Sequence, residues 1–410
     1  MLYLFNSYGK RSELFRPVNK NHVSVFTCGP SVYQRSHIGN FRTFLFEDIL
    51  VRYLEYLGYT VKRGMNFTDI EDKAIREALK RKSTVRELTA ANMKHFIAEM
   101  KLLRMKMPDY LPVASEHVEE MAVVIAQLVG SGHAYWYKGS VYFDPLTFRN
   151  FGKIYGLDMS LWPAKTKRFH QDTYPGIQWN KGDFILWHGY KTGDAAFWDT
   201  PIGRGRPSWN IQDPVMVSRY FDETLSIYCG GIDNLFRHHD YSAAILESVR
   251  SYPMARFWLH AEHLVIKGQK MSKSKGSIYY TDTLLKEGYS PAEIRFFLIY
   301  GHYRDRLSYS KRNMDLAAKR LGDVRGIVKK IQKKAGKNVP LRGLDSEKLL
   351  QQVFTRHMDN DLDVRGAFDN LREELVHRDI DLLTKEQAAG IIAALRKIDT
   401  VLQVLFQGSL

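Results

Sequence analysis

The chain has 410 residues, 44% of them hydrophobic, and a formal charge of +15 from 60 Lys and Arg against 45 Asp and Glu. That length exceeds one ordinary domain. No apolar run approaches the roughly 20 residues that span a bilayer, and Met1-Leu2-Tyr3-Leu4 leads into polar residues rather than a signal-peptide core, so a soluble, cytoplasmic chain without membrane partners is expected. Two cysteines, Cys28 and Cys229, cannot build a disulfide scaffold. The cation excess suits a polyanionic partner, because clustered cations release counterions from phosphates, but charge alone does not specify nucleic acid.

In chain order, His22-Val23-Ser24-Val25-Phe26-Thr27 reads as a strand closed by Cys28-Gly29-Pro30. After the turn holding His37, the apolar positions Phe46, Ile49, Leu50, Tyr53, Leu54 and Leu57 recur at three- and four-residue steps. Gly58 follows as a cap, so the segment predicts an amphipathic helix. Residues 60–63 open a second strand leading into Asn66-Phe67-Thr68-Asp69. Strand, glycine turn, helix and strand make a βαβ unit, which places ligands at the carboxyl ends of its strands.

Residues 1–75 are therefore expected to form the first half of a Rossmann-type catalytic domain. An inserted subdomain over 76–200 is mainly helical to about 135 and then rich in Gly, Trp, Tyr and Asp without clear periodicity. Residues 201–289 form the second half, with Trp209, Gly230-Gly231-Ile232-Asp233 and a lysine-rich loop. From Ser290 the chain reads as wholly helical over 290–406. Ala317, Leu321, Val324, Val328 and Ile331 make one stripe, and Lys319, Arg320, Lys329, Lys330, Lys333 and Lys334 make a cationic face most simply read as solvated. Residues 336–340 read as a linker. The tail from Leu402 to Gly408 resembles a cleavage sequence used in expression tags, and no function is expected of it.

Two short segments carry chemistry. His37-Ile38-Gly39-Asn40 follows a strand and precedes a helix, which puts an imidazole and a tight glycine turn at a helix N-terminus, where N–H groups and the dipole favour phosphate. Lys270-Met271-Ser272-Lys273-Ser274 supplies two cations able to neutralise charge as pyrophosphate leaves. In this order the pair resembles the HIGH and KMSKS signatures of class I aminoacyl-tRNA synthetases.

The resemblance narrows around them. Cys28-Gly29-Pro30-Ser31-Val32-Tyr33, Asn66-Phe67-Thr68-Asp69-Ile70-Glu71-Asp72-Lys73, Gly205-Arg206-Pro207-Ser208-Trp209, Phe236-Arg237-His238-His239 and Gly301-His302-Tyr303-Arg304 are similar to the cysteinyl-tRNA synthetase family. The sequence ends where that family's anticodon-recognition module would follow. In this shortness and in His238-His239-Asp240-Tyr241-Ser242 it also resembles the mycothiol-pathway cysteine ligase, a synthetase relative that joins cysteine to an amino sugar without tRNA.

The resemblance implies an α/β class I catalytic domain followed by an α-helical bundle, with ATP and Mg2+ as cofactors. It implies that His37 and Asn40 hold the ATP phosphates, while Lys270 and Lys273 stabilise the transition state. Gly29, Pro30, Ser31, Gly39, Thr43, Gly231, Asp233 and Leu264 would border the ATP and adenylate, and Cys28, Thr68, Trp209, Asp213 and His238 the amino acid. Family members select cysteine through a zinc ion on two Cys, a His and often a Glu. Here Cys28 and His238 match two of those positions, the second cysteine position falls on Asp213, and the glutamate position falls on Ser242.

Two outcomes stay open. Zinc is weak or absent, with the amino acid altered and Asp213 facing a cationic or hydroxylated side chain; or a Cys28-Asp213-His238 site survives, with Cys229 as an alternative ligand. The expected reaction is attack of an amino-acid carboxylate on the α-phosphate of ATP, followed by transfer to an amine acceptor without tRNA. Transfer to tRNA is the alternative, and a catalytically silent nucleotide- or RNA-binding paralogue is the third reading.

Overall fold

The computed structural model describes residues 1–161, 182–235, 237–271, 278–336 and 345–406. Its centre is a four-stranded parallel sheet of β1 (His22–Thr27), β2 (Thr60–Met65), β3 (Leu225–Gly231) and β4 (Ala255–Ala261), in the order β4-β3-β1-β2. Helix α1 (Ile38–Tyr56) connects β1 to β2 and completes the βαβ unit expected from the sequence. Leu57 caps it and Gly58 follows at φ +94°, a conformation glycine adopts without strain. The strand order reverses between β1 and β3. Connections leave the two strands in opposite directions there, and a crevice opens at their carboxyl ends.

Alternate residues feed opposite faces of this sheet, as the strand period of two requires. Val25, Ile227, Cys229, Phe257 and Leu259 join one core with Leu45, Leu50 and Leu54 of α1. Phe26, Tyr228 and Trp258 join the other with Ile211 and Val215 of α2 (Trp209–Tyr220) and Ile245 of α3 (His238–Glu247).

Helices Asp72–Arg81, Val85–Leu102 and Val118–Gly130 follow β2. The stretch without clear periodicity contains an antiparallel sheet, in the order Ala134–Tyr137, Ser140–Phe143, Phe184–Gly189, Gly203–Pro207, Trp198–Thr200. Its strands are three to six residues long, one carries a register shift at Val141/Tyr142, and another reads Gly-Arg-Gly-Arg-Pro, so few residues alternate in sequence.

After Ser290, helices α4 (Pro291–Ile299) and α5 (Lys311–Ala335) precede Asp345–Met358, Val364–Val376 and Lys385–Leu402. The predicted stripe Ala317, Leu321, Val324, Val328 and Ile331 is buried. The all-helical expectation is corrected by a short strand, Leu307–Tyr309, which pairs in parallel with Leu264–Ile266 and ties this region to the catalytic half. Buried Arg295 of α4 donates to Asp48 of α1 at 2.6 Å, to the Leu103 carbonyl at 2.9 Å and to the Leu402 carbonyl at 2.8 Å. Leu395 and Ile398 share one core with α1.

The tail packs onto the helical region. Val404 and Leu405 are buried, and the Asp399 carboxylate accepts the backbone N–H groups of Val404, Leu405 and Phe406 at 2.7, 2.8 and 3.2 Å. The chain through Phe406 is therefore part of the fold, whatever its likeness to a cleavage sequence. Positions 407–410 and 337–344 lie outside the described residues.

Candidate active site

His37 is the N-cap of α1, in extended backbone at φ −102°, and its N–H donates to Asn40 Oδ1 at 3.0 Å. The first turn holds no acidic side chain, so the positive end of the helix faces the crevice uncompensated. Gly39 is required here: a Cβ would lie 2.9 Å from the His37 imidazole, and only glycine lets the ring lie across the helix start.

The same Cβ would be 3.8 Å from Cβ of buried Met271, and Ile38 donates its N–H to the Tyr279 carbonyl at 3.0 Å. Both flanks of the lysine segment thus rest on the start of α1. Arg35 reinforces the junction by pairing with Asp282 at 2.9 Å and Glu99 at 2.7 Å. Lys270 donates to Asp233 at 2.8 Å. Lys273 lies outside the described residues.

Gly231 ends β3, and a Cβ on it would come within 2.7 Å of Asp233 Oδ1 and 3.7 Å of Thr43 Oγ1, so Thr43, Gly231 and Asp233 converge. Leu264 is buried at the head of its strand. Gly29-Pro30-Ser31 runs beside Asn66-Phe67-Thr68: Thr68 donates to the Pro30 carbonyl at 3.2 Å, and a Cβ on Gly29 would land 1.6 Å from the Asn66 carbonyl oxygen.

The expected amino-acid pocket is also brought together. Cys28 Sγ lies 3.6 Å from His238 Nε2, and Trp209 stacks on the His238 ring with centroids 3.8 Å apart. Asp213, fully buried, accepts from His238 Nε2 at 3.0 Å, from the Tyr228 hydroxyl at 2.7 Å and from the Asn66 amide at 2.8 Å. Burial opposes its charge, but His238 and the hydrogen-bond donors outweigh it and hold the carboxyl below the usual carboxylate range. Burial, aided by the neighbouring Asp213 charge, pushes the Cys28 thiol well up.

Asn66, Tyr228, His239 and His260 are site residues to which the sequence assigned no role. Asn66 also accepts the Gly29 N–H at 2.9 Å, so one amide spans the ends of β1 and α2. His239 Nδ1 contacts His260 Nε2 at 2.7 Å, and His260 Nδ1 contacts Ser7 Oγ at 2.7 Å. Asn66 and the doubled histidine at 238–239 stood in segments visible beforehand, but no spacing links them to Tyr228, His260 or Ser7.

Ligand atoms of Cys28, His238 and His239, all buried, lie within 4.8 Å of one another. A thiol and two imidazoles are zinc-type donors, so the residues present fit such an ion. Ser242, at the family's glutamate position, is a hydroxyl and a poor ligand. The suggested Cys229 ligand is corrected: its side chain joins the α1 face of the sheet, whereas Cys28 belongs to the core on the other face.

A family model described as the tRNA synthetases class I (C) catalytic domain matches residues 14–319. A cysteine–tRNA ligase of Chlamydia pneumoniae is 36% identical over 98% of this chain and 86% of its own length, and one of Brachyspira hyodysenteriae is 33% identical over 99% and 87%. The chain belongs to the cysteinyl-tRNA synthetase family. Its catalytic domain is that of ATP-dependent amino-acid activation, which in class I synthetases uses Mg2+.

The class I fold extends to more distant synthetases. Mycobacterium tuberculosis methionyl-tRNA synthetase bound by methionyl-adenylate superposes with a TM-score of 0.65 at 14% identity, covering 95% of this chain and 92% of that one. An Agrobacterium radiobacter LeuRS–tRNA–LeuAMS ternary complex gives 0.65 at 10%, covering 95% and 85%. No described helix is long and apolar enough to cross a membrane.

Proposed function

We propose that this chain forms a cysteinyl-adenylate from ATP and transfers the acyl group to a tRNA. The observation that supports the adenylation step is the meeting of Met271 and Tyr279 with Gly39 and Ile38 at the N-terminus of α1, on the crevice side of the sheet. The amino-acid carboxylate attacks the α-phosphorus of ATP, the bond to the β-phosphate oxygen breaks, and pyrophosphate carries away the electron pair. No side chain need act as a nucleophile, because positioning and charge stabilisation suffice for an in-line displacement.

His37, Asn40 and the α1 N–H groups hold the triphosphate. Lys270 and Lys273 neutralise the departing charge, and Asp233 takes the ribose hydroxyls, with Gly29, Pro30, Ser31, Thr43, Gly231 and Leu264 bordering the nucleotide. The half-exposed Lys270–Asp233 pair is exchanged for these contacts; pairs so exposed contribute about 0–1 kcal/mol, so the exchange costs little.

Cys28, Thr68, Trp209 and His238 floor the amino-acid pocket, and Trp209 stacked on His238 suits a short side chain. With three donors already on Asp213, the idea that it recruits a cationic side chain loses support. A tRNA acceptor is favoured over the amine expected from the shortness of the sequence, because the relatives are cysteine–tRNA ligases, the charge is +15, and Lys319, Lys329, Lys330 and Lys333 are exposed along α5.

Labelled cysteine, ATP and total tRNA, incubated with the chain at rising salt, test the acceptor. Acid-stable label on tRNA, declining steeply with salt, is expected. Adenylate formed without any transfer or binding to tRNA at low salt would overturn the tRNA assignment and restore the amine acceptor.

A further inference from the structure

Lys73 stands against the ordinary pattern for a helix start. It is the second residue of the helix Asp72–Arg81, where the positive end of the helix dipole disfavours a cation. The residue is half-buried, and its ammonium lies over the face of the Tyr33 ring, 5.4 Å from the centroid. A cation kept in such a setting is the kind of local conflict that functional sites carry. We propose that Lys73 is a further catalytic residue, a fixed cation that contacts the α-phosphate of ATP and remains on the phosphate of the adenylate during acyl transfer. This rests on the adenylation reading given above.

The neighbours of Lys73 set its place in the crevice. Burial draws the ammonium below the usual lysine range, the charges of Glu71 and Asp233 act against burial, and Lys270 reinforces it. Lys73 is thus within electrostatic reach of the half-exposed Lys270–Asp233 pair. On its other side stand Glu71 and Tyr33. Tyr33 lies two residues beyond Ser31, which bridges in parallel to Thr68 of the amino-acid pocket. Asp233 takes the ribose and Thr68 borders the amino acid, and the group that joins those two parts of the adenylate is the α-phosphate. A cation in reach of both sides meets that phosphate.

The support beneath Lys73 is rigid. Ala74 and Ala78 of the same helix are buried, Asp72 pairs with Arg206 of the inserted sheet, and the Ile70 carbonyl accepts from Gln212 at 2.8 Å. Buried Glu71, the N-cap, supplies a negative charge that favours the protonated ammonium. Lys270 belongs instead to the lysine segment, whose work ends as pyrophosphate leaves. In the transfer that follows, the acceptor hydroxyl attacks the acyl carbon and the bond from that carbon to the phosphate oxygen breaks. AMP takes the electron pair, and the hydroxyl proton passes to water. The phosphate gains negative charge in this step, and a cation fixed beforehand stabilises it without reorganisation.

The test measures two rates on the full chain and its Lys73→Met variant: ATP–pyrophosphate exchange with cysteine, and transfer from the isolated enzyme–adenylate complex to total tRNA. Losing one preorganised charge-stabilising group costs about a hundred- to a thousandfold in rate, so exchange kcat should fall into that range while the KM for ATP changes little. Transfer should slow as well. Lys73→Arg, which keeps the charge, should recover much of both rates. Lys270→Met is the comparison, expected to slow exchange and to leave transfer from the preformed adenylate near the wild-type rate. Lys73→Gln serves if Lys73→Met misfolds by circular dichroism. Either rate unchanged in the Lys73 variant, or a loss confined to the KM for ATP, overturns the proposal. Failure of the wild type to exchange would defeat the adenylation reading itself, whereas wild-type exchange that the substitution leaves intact defeats the role of Lys73 alone.

Discussion

Asn66 and Asp213, far apart in sequence, are joined by a 2.8 Å hydrogen bond from the Asn66 amide, whose own oxygen accepts the Gly29 N–H at 2.9 Å. One buried side chain thereby fixes Asp213 relative to the end of β1, where Cys28 and Gly29 lie. Asn66→Ala would leave a buried acceptor and a backbone donor without partners, a loss of about 1–3 kcal/mol. Urea unfolding should show that loss, and the KM for the amino acid should rise more than the KM for ATP.

Gly39→Ala separates the nucleotide site from stability. Its Cβ would come within 2.9 Å of the His37 imidazole, so the ring must leave its place over the helix start. Displacing a positioning group by about 1 Å can cost on the order of a hundredfold in rate. Exchange kinetics should fall toward that range with a raised KM for ATP, while the midpoint of thermal unfolding changes little.

The Glu47–Arg63 pair gives a pH prediction away from the site. Burial pushes the Glu47 carboxyl up to about 8, from 4.5, and Arg63 at 3.2 Å pulls it back only in part. Between these two values the folded chain holds a proton that the unfolded chain has released. Stability should therefore fall as pH rises from about 4.5 to about 8, with a limiting slope of about 1.4 kcal/mol per pH unit from this group. Denaturation midpoints across that window should flatten in Glu47→Gln.

Asp399 tests the tail. Replacing it with Ala strips acceptors from the N–H groups of Val404, Leu405 and Phe406 and should cost about 1–3 kcal/mol in chemical denaturation. Hydrogen exchange should rise at those amides first.

Local signals made much of the fold legible. The β1–α1–β2 unit and the buried stripe of α5 follow from apolar periodicity and one glycine cap, which need only neighbouring residues. The sheet between Ala134 and Pro207 was not legible, because strands of three to six residues seldom show enough alternation. The Leu307–Tyr309 strand was missed for the same reason.

At the site, motif likeness located Cys28, Asp213 and His238, but Asn66, Tyr228, His239 and His260 matter through contacts between separate elements. Cys229 shows the converse: it lies next in sequence to the glycine turn, yet the strand's alternation turns it to the other face of the sheet.

The measurement closest to the central claim is ATP–pyrophosphate exchange with cysteine and the other common amino acids, tRNA omitted, on the wild type and His37→Ala. Adenylate formation predicts exchange that depends on cysteine and falls by at least about a hundredfold in His37→Ala, a loss near 2.7 kcal/mol of transition-state stabilisation. ATP binding with no exchange for any amino acid would contradict it and leave a silent nucleotide-binding relative.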